Sequence, residues 1–271
     1  MVQDKIFGTN GLVNNYHSLR ERYVSELNCV ESVLWKKMRL KVIETIDSPI
    51  YAAILSNAGR SLEIVDKAHE LIMCEALKVL YYDLFQETNS VDYQSLSKKY
   101  AGYVRCSLDA INFRKLSAME SELSRFWDIE RKLSEKLERN EDIWSSDIDG
   151  FTLKKSSDVF AYFFLLNVDS FVPGNIKQVL YARQLERDMN DDLSDLLEDH
   201  DAKMPNPFLL RLASKGFYDV NGKYSQDDLK SLVDSTDARK IQQNIVDIEV
   251  LKSDSVLKRY PSYSWIKFCS A

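Results

Sequence analysis

The chain has 271 residues, of which 45 % are hydrophobic and 11 % aromatic, so it can bury the core of one large domain or two small ones. Its formal net charge of −6 argues against general binding to nucleic acid or to an anionic membrane surface, because both select basic faces. No apolar run approaches the roughly 18 residues that a membrane-spanning helix needs, and no basic-then-apolar leader opens the chain. We therefore expect no nucleic-acid partner and no stable membrane insertion.

The four cysteines are far apart in the sequence and form no Cys-x-x-Cys pair. They are Cys29, Cys74, Cys106 and Cys269. This spacing predicts neither a structural zinc site nor a disulfide framework. A reduced, cytoplasmic protein is the expectation.

Helical periodicity dominates the chain. Only eight glycines and five prolines interrupt it, and apolar residues recur at spacings of three and four, as in the stretch from Leu62 to Leu80. This pattern predicts an all-α protein with helices of roughly fifteen to twenty-five residues. Breaks are predicted where turn-forming residues cluster, at 47–49, 57–59, 88–90, 144–150, 172–174, 204–207 and 217–224. Without a linker or repeat, residues 1–271 are predicted to form a single helical domain.

One predicted helix is unusually acidic. The stretch ERDMNDDLSDLLEDHD, Glu186–Asp201, holds eight carboxylates in sixteen residues. On a helical wheel its apolar face consists of Leu185, Met189, Leu193, Leu196 and Leu197. Asn190, Ser194 and Glu198 follow one border of that face at i, i+4 and i+8, and Asp191, Asp195 and Asp199 lie one step further round.

Two interpretations of this acidic helix remain open. Charge runs are most often the solvated back of an amphipathic helix. However, like charges at i and i+4 destabilise a helix by roughly a few tenths of a kcal/mol per pair, and only Arg183 and Arg187 lie nearby to compensate. A divalent cation would relieve the repulsion, and Mg²⁺ prefers the oxygen ligands that this stretch supplies.

The acidic stretch carries a family resemblance. NDDLSDLLE, Asn190–Glu198, matches the N-D-x-x-S-x-x-x-E motif of class I terpene cyclases, and DDLSDLLED, Asp191–Asp199, resembles the D-D-x-x-D motif of trans-prenyl diphosphate synthases. The resemblance implies an all-α class I isoprenoid synthase-like bundle around a central apolar cavity. It also implies metal ligation by Asn190, Ser194 and Glu198, with Asp191 and Asp195 as alternative or supporting ligands. The metal would be Mg²⁺, with about three ions holding the diphosphate of a prenyl diphosphate substrate.

Segments on both sides of the acidic helix extend the resemblance, which is strongest over residues 40–215. AKMPNPFLLRLA, Ala202–Ala213, resembles the Lys-x-x-x-Pro segment that follows the motif in prenyl synthases. LKKSSDVFAYF, Leu153–Phe163, looks like their Lys-Thr helix, with Lys155 and Ser156 at the Lys-Thr position. AHELIMCEALKVLYYDLF, Ala68–Phe85, is similar to a further helix of the family, although Cys74-Glu75 replaces its Gly-Asp.

Basic and aromatic residues near the end of the chain add a candidate contact to the substrate. The pair Arg259-Tyr260 is similar to the Arg-Tyr pair of terpene cyclases that reaches the diphosphate. The resemblance therefore implies that Arg259, Tyr260 and Lys155 act at the diphosphate group.

The first acidic motif of the family is degenerate here. It should lie near VIETIDSP, Val42–Pro49, where only Glu44 and Asp47 are acidic, and the basic element that grips a second diphosphate is not visible. Glu44 and Asp47 are then weak candidate ligands for the remaining metal ions. Because chain elongation needs two diphosphates and cyclisation needs one, this loss favours a terpene cyclase, a lyase, over an elongating enzyme.

Three functions follow from these observations. The first is a Mg²⁺-dependent class I terpene cyclase that ionises an allylic prenyl diphosphate and cyclises the carbocation. The second is a prenyltransferase that condenses an allylic diphosphate with an acceptor. The third is a non-catalytic helical partner, or a lipid-binding protein, of the same fold. Dimerisation is common in the resembled fold, so the resemblance adds a homodimer to the expectations.

Overall fold

The computed structural model describes residues 61–169 and 172–268, together with positions 50, 51, 54, 57 and 59. These residues contain helices and no strand, which confirms the all-α prediction. The described ranges contain the helices α1 (Leu62–Thr88), α2 (Val91–Ser107), α3 (Ala110–Glu138), α4 (Ser145–Lys155), α5 (Asp158–Leu166), α6 (Ile176–Ser194), α7 (Leu196–Ala202), α8 (Pro207–Ser214), α9 (Gln226–Ser235) and α10 (Ala238–Arg259), followed by a 3₁₀ helix (Pro261–Phe268).

The helices belong to two compact units. Within the described chain, the first unit contains residues 61–117, 161–169, 172–174 and 262–268, and the second contains 118–160 and 175–261. None of the described helices is long and apolar enough to cross a membrane.

The first unit contains a hairpin of α1 and α2. The ring of Tyr81 on α1 stacks on that of Tyr100 on α2, with centroids 5.8 Å apart. The hydroxyl of Ser97 donates to the carbonyl of Lys78 across the same interface (3.0 Å). The turn is made at Asn89, whose φ of 53° ends α1 in the left-handed conformation.

The second unit is built on the contact between α6 and α10, with α4 and α8 packed nearby. A buried polar network joins three of these helices. Arg211 on α8 is only 3 % exposed and donates to the Gln242 side-chain oxygen from Nε (2.8 Å) and Nη2 (2.6 Å). Gln242 on α10 in turn donates to the hydroxyl of Thr152 on α4 (3.1 Å).

Most predicted breaks separate helices in the structure, but one is displaced. The breaks at 172–174 and 217–224 lie between helices, and those at 88–90 and 204–207 each overlap one helix end by a single residue. The helix α4 begins at Ser145, inside the predicted break 144–150, and includes Gly150. An isolated glycine costs a helix only about 1 kcal/mol relative to alanine, which packing of α4 overcomes. Gly59, in the predicted break at 57–59, has a φ of 71°, and the break at 47–49 falls outside the described residues.

Candidate functional site

The acidic stretch forms two helices rather than one. The helix α6 ends at Ser194, and α7 begins at Leu196. At this break, the side-chain amide of Gln226 accepts from the backbone N–H of Leu197 (2.9 Å) and donates to the carbonyl of Ser194 (2.9 Å). Side-chain hydrogen bonds therefore replace part of the helical ladder where the sequence predicts a continuous helix to Asp199.

The predicted metal-ligand triad lies on the outside of the second unit. Asn190, Ser194 and Glu198 are all exposed, and the Ser194 hydroxyl donates to the carbonyl of Asn190 (3.0 Å). The break lies between Ser194 and Glu198, so the i, i+4, i+8 spacing does not run along one continuous helix. Asp191 and Asp195 are half-buried.

The remaining predicted site residues are dispersed. Arg259 is exposed at the end of α10, and Tyr260, which follows it, is half-buried. In the described part of the chain, no hydrogen bond or ion pair joins either side chain to the acidic helix. Glu44 and Asp47 lie outside the described residues.

A different pair of aspartates faces inward from α6. Asp192 is 5 % exposed and forms an ion pair with Lys155 at the end of α4. One helical turn earlier, Asp188 accepts from the buried hydroxyl of Ser156 (2.6 Å) and from the side-chain amide of Gln184 (2.7 Å). We call Lys155, Ser156, Asp188 and Asp192 the inner cluster.

Asn206 ties the next helix to the inner cluster. It is fully buried, and its side-chain nitrogen donates both to the backbone carbonyl of Asp192 (2.7 Å) and to the carboxylate of Asp199 (2.7 Å). Its side-chain oxygen caps α8 by accepting from the N–H of Phe208 (2.9 Å). Asp199 on α7 is thereby held beside the inward face of α6.

In the inner cluster and the neighbouring Asp199, carboxylates outnumber cations; Asp192 is buried, and Asp188 and Asp199 are half-buried. Burial raises the pKa of Asp192 to about 6, against the opposing effect of Lys155. Burial also raises the pKa of Asp188 and that of Asp199. Burial lowers the pKa of Lys155, but the charges of Asp192 and Asp188 outweigh that effect and hold it above its usual value. Three carboxyls share one ammonium group, so the arrangement favours a further proton or cation.

The C-terminal end of α4 is fixed against α6 by an aromatic residue. The Tyr181 hydroxyl donates to the carbonyl of Leu153 (2.6 Å), and its ring stacks on Phe160 with centroids 5.3 Å apart. Next to Ser156 lies Ser157, whose Oγ is buried and has no hydrogen-bond partner in the described part of the chain. Buried hydroxyls are normally satisfied, so Ser157 is an exception within this part of the chain.

The structure shows no ready-made metal cage. Among the described residues, no three His, Cys, Asp or Glu side chains lie close enough to hold one metal ion. Sequence reasoning named Lys155 as a site residue and aligned Ser156 with the Lys-Thr motif, but it missed Asp188 and Asp192. The available signal was their i, i+4 spacing immediately beside Leu185 and Met189 of the apolar face.

Comparison with known proteins gave no match. No family model, no curated protein and no solved structure is significantly similar to this chain.

Proposed function

We propose that this protein is a Mg²⁺-dependent class I terpene cyclase that ionises an allylic prenyl diphosphate. The observation that carries the proposal is the inner cluster, in which Asp188 and Asp192 lie one turn apart and face Lys155 and Ser156. The family resemblance independently suggests Lys155 as a diphosphate contact and places Ser156 beside it in the Lys-Thr motif.

The residues of the inner cluster suit Mg²⁺ bound together with a diphosphate. Mg²⁺ in such sites takes one or two carboxylates and completes its shell with phosphate oxygens and water, so it needs no all-protein cage. Asp188 and Asp192 would provide these carboxylates. The unpartnered hydroxyl of Ser157 and the ammonium group of Lys155 would donate to diphosphate oxygens.

The proposed role of the protein is to accept the leaving diphosphate. When bound, Mg²⁺ would supply positive charge against the developing negative charge of that group. Lys155 would exchange its ion pair with Asp192 for the diphosphate. The family resemblance implies that Arg259 and Tyr260 also reach the diphosphate, but among the described residues no hydrogen bond or ion pair brings either of them to the inner cluster. The allylic C–O bond would break, and its electron pair would leave with the diphosphate. The resulting carbocation would be attacked by an alkene of the same prenyl substrate. The cyclic cation would then lose a proton or take up water.

The direct test is product analysis. The purified protein is incubated with Mg²⁺ and geranyl, farnesyl or geranylgeranyl diphosphate, each alone, and extracts are analysed by gas chromatography with mass detection. A cyclic product from one substrate is the expected result. Asp192→Asn should abolish it, whereas Asp201→Asn, an exposed residue of the same acidic stretch, should not. Product that forms only when isopentenyl diphosphate or another acceptor is added would identify a prenyltransferase instead.

A second candidate function is a non-catalytic helical protein. The observation that favours it is that the carboxylates of the inner cluster, and that of Asp199, already bond protein groups. Lys155 pairs with Asp192, Ser156 and Gln184 bond Asp188, and Asn206 bonds Asp199. A stable complex with another protein, together with intact diphosphate in every assay, would support this function.

A further inference from the structure

The break between α6 and α7 is held by one side chain. In an uninterrupted helix the carbonyl of Ser194 would accept from the residue four positions later, and the N–H of Leu197 would donate to the residue four positions earlier. Here both groups bond the carboxamide of Gln226, each at 2.9 Å. Gln226 therefore satisfies the two backbone groups that the break exposes, one on each side of it.

Gln226 itself is rigidly placed. It is the first residue of α9, directly after Ser225, and this N-terminus carries a complete capping box. The Ser225 hydroxyl accepts from the N–H of Asp228 (3.2 Å), while the Asp228 carboxylate accepts from the N–H of Ser225 (2.9 Å). The carboxamide of Gln226 is thus presented to the break from a fixed helix end.

The break has a consequence at the inner cluster. An interruption at Asp195 frees the carbonyl of Asp192, which in a continuous helix would lie within the hydrogen-bond ladder. Asn206 bonds that carbonyl, and the same nitrogen bonds the carboxylate of Asp199. The position of Asp199 therefore depends on the break.

We infer that Gln226 is a positioning residue that holds the break open and so keeps the Asp199 carboxylate beside Asp192 and Lys155. As a statement about diphosphate binding, this inference rests on the proposed function. Asp199 then adds a third carboxylate to the surroundings of the cation without contacting Gln226. Loss of such an outer contact typically weakens metal affinity by about tenfold to a hundredfold.

The first test uses the protein alone. Gln226→Met keeps the length of the side chain and removes the carboxamide. We expect hydrogen exchange at the Leu197 amide to accelerate at least about tenfold, as it does when a protecting hydrogen bond is lost. We also expect the carboxyl ¹³C resonance of Asp199 to move. Gln243→Met is the matched control, because the Gln243 carboxamide bonds Asp247 within α10 (2.9 Å), and it should change neither signal.

The second test measures binding of Mg²⁺ and inorganic pyrophosphate by calorimetry. Gln226→Met should weaken binding by about tenfold in the wild-type background and have no further effect in an Asp199→Asn background, because both act through the same carboxylate. Gln226→Glu keeps the acceptor for Leu197 and should restore part of the affinity.

The two tests separate the possible failures. An unchanged Asp199 resonance in Gln226→Met overturns the positioning role whether or not any ligand binds. Additive losses in the two backgrounds would overturn it as well. If wild-type protein fails to bind pyrophosphate with Mg²⁺ while the Asp199 resonance still moves in Gln226→Met, the proposed function fails and the positioning of Asp199 stands.

Discussion

Asp192 combines deep burial with a single positive partner, so its proton should govern part of the pH dependence of stability. Burial raises its pKa from 3.8 to about 6. Because the folded state binds this proton more tightly than the unfolded state, the resulting stabilisation is full below pH 4 and is lost as the pH rises through 6. About two pKa units correspond to about 3 kcal/mol.

The prediction is tested by comparing wild-type protein with Asp192→Asn in urea unfolding between pH 4 and pH 7. The free energy of unfolding of the wild type should fall by about 2.4 kcal/mol relative to that of the variant over this range, because the carboxyl of the unfolded chain is already partly ionised at pH 4. Parallel curves for the two proteins would show that Asp192 does not carry a raised pKa in the folded state.

Lys155 is the only cation paired with this carboxylate in the described residues, so its removal should be costly. Lys155→Met leaves the buried charge of Asp192 without compensation, and we expect a loss of about 3 kcal/mol in the free energy of unfolding at pH 8. The double variant Lys155→Met/Asp192→Asn should recover much of that loss, since it leaves no buried charge at this position. Equal stability of the single and double variants would contradict a direct pairing.

At the scale of helices, the side-chain amide of Asn206 joins α6, α7 and α8. Asn206 caps α8 and also bonds Asp192 and Asp199. Asn206→Ala should cost about 1 kcal/mol for the lost cap and about 1–3 kcal/mol more for the buried groups left without a partner. Ser225→Ala removes an exposed capping box from α9 and should cost only about 1 kcal/mol in the same urea experiment. Similar losses for both would argue that Asn206 is no more than a cap.

Sequence periodicity predicts the helices well and their interruptions poorly. The acidic stretch has the composition of a helix and contains neither glycine nor proline. Its break at Asp195 depends on Gln226 and Asn206, which meet it only in the folded chain. A tertiary hydrogen bond of this kind leaves no local signature, so a continuous helix was the natural prediction.

The residues of the candidate site are likewise predicted only where a local sequence pattern marks them. Lys155 is predicted as a site residue from a local motif that also includes Ser156, and in the structure the side chains of both bond aspartates of α6. Asp188 and Asp192 were missed because the motif match selects Asn190, Ser194 and Glu198, although the helical wheel places Asp192 directly beside Leu185 of the apolar face. Burial of Asp192 needs a lysine on a different helix, and the sequence does not specify that partner.

At the scale of the whole molecule, the all-α class is confirmed, while the single-domain arrangement and the isoprenoid synthase fold stay predictions. The net charge of −6 makes the protein as a whole repel a diphosphate. The proposed binding of a diphosphate would therefore need local positive charge, from Lys155 and from the proposed Mg²⁺. A rise in melting temperature on addition of Mg²⁺ and pyrophosphate would therefore report the proposed binding at the inner cluster.

The same measurement tests which face of the acidic stretch would hold the proposed metal. A ligand at one hundred times its dissociation constant stabilises the folded state by about 2.7 kcal/mol, which corresponds to about 5–10 °C in melting temperature for a chain of this size. We expect Mg²⁺ with pyrophosphate to produce such a shift in wild-type protein, and Mg²⁺ or pyrophosphate alone to produce little.

Asp188→Asn should abolish the shift if the inner cluster binds the ion. Glu198→Gln should abolish it instead if the exposed triad does. The absence of a shift in the wild type would leave the inner cluster as a closed polar network in the core of a binding protein, because every carboxylate in it already has a protein partner.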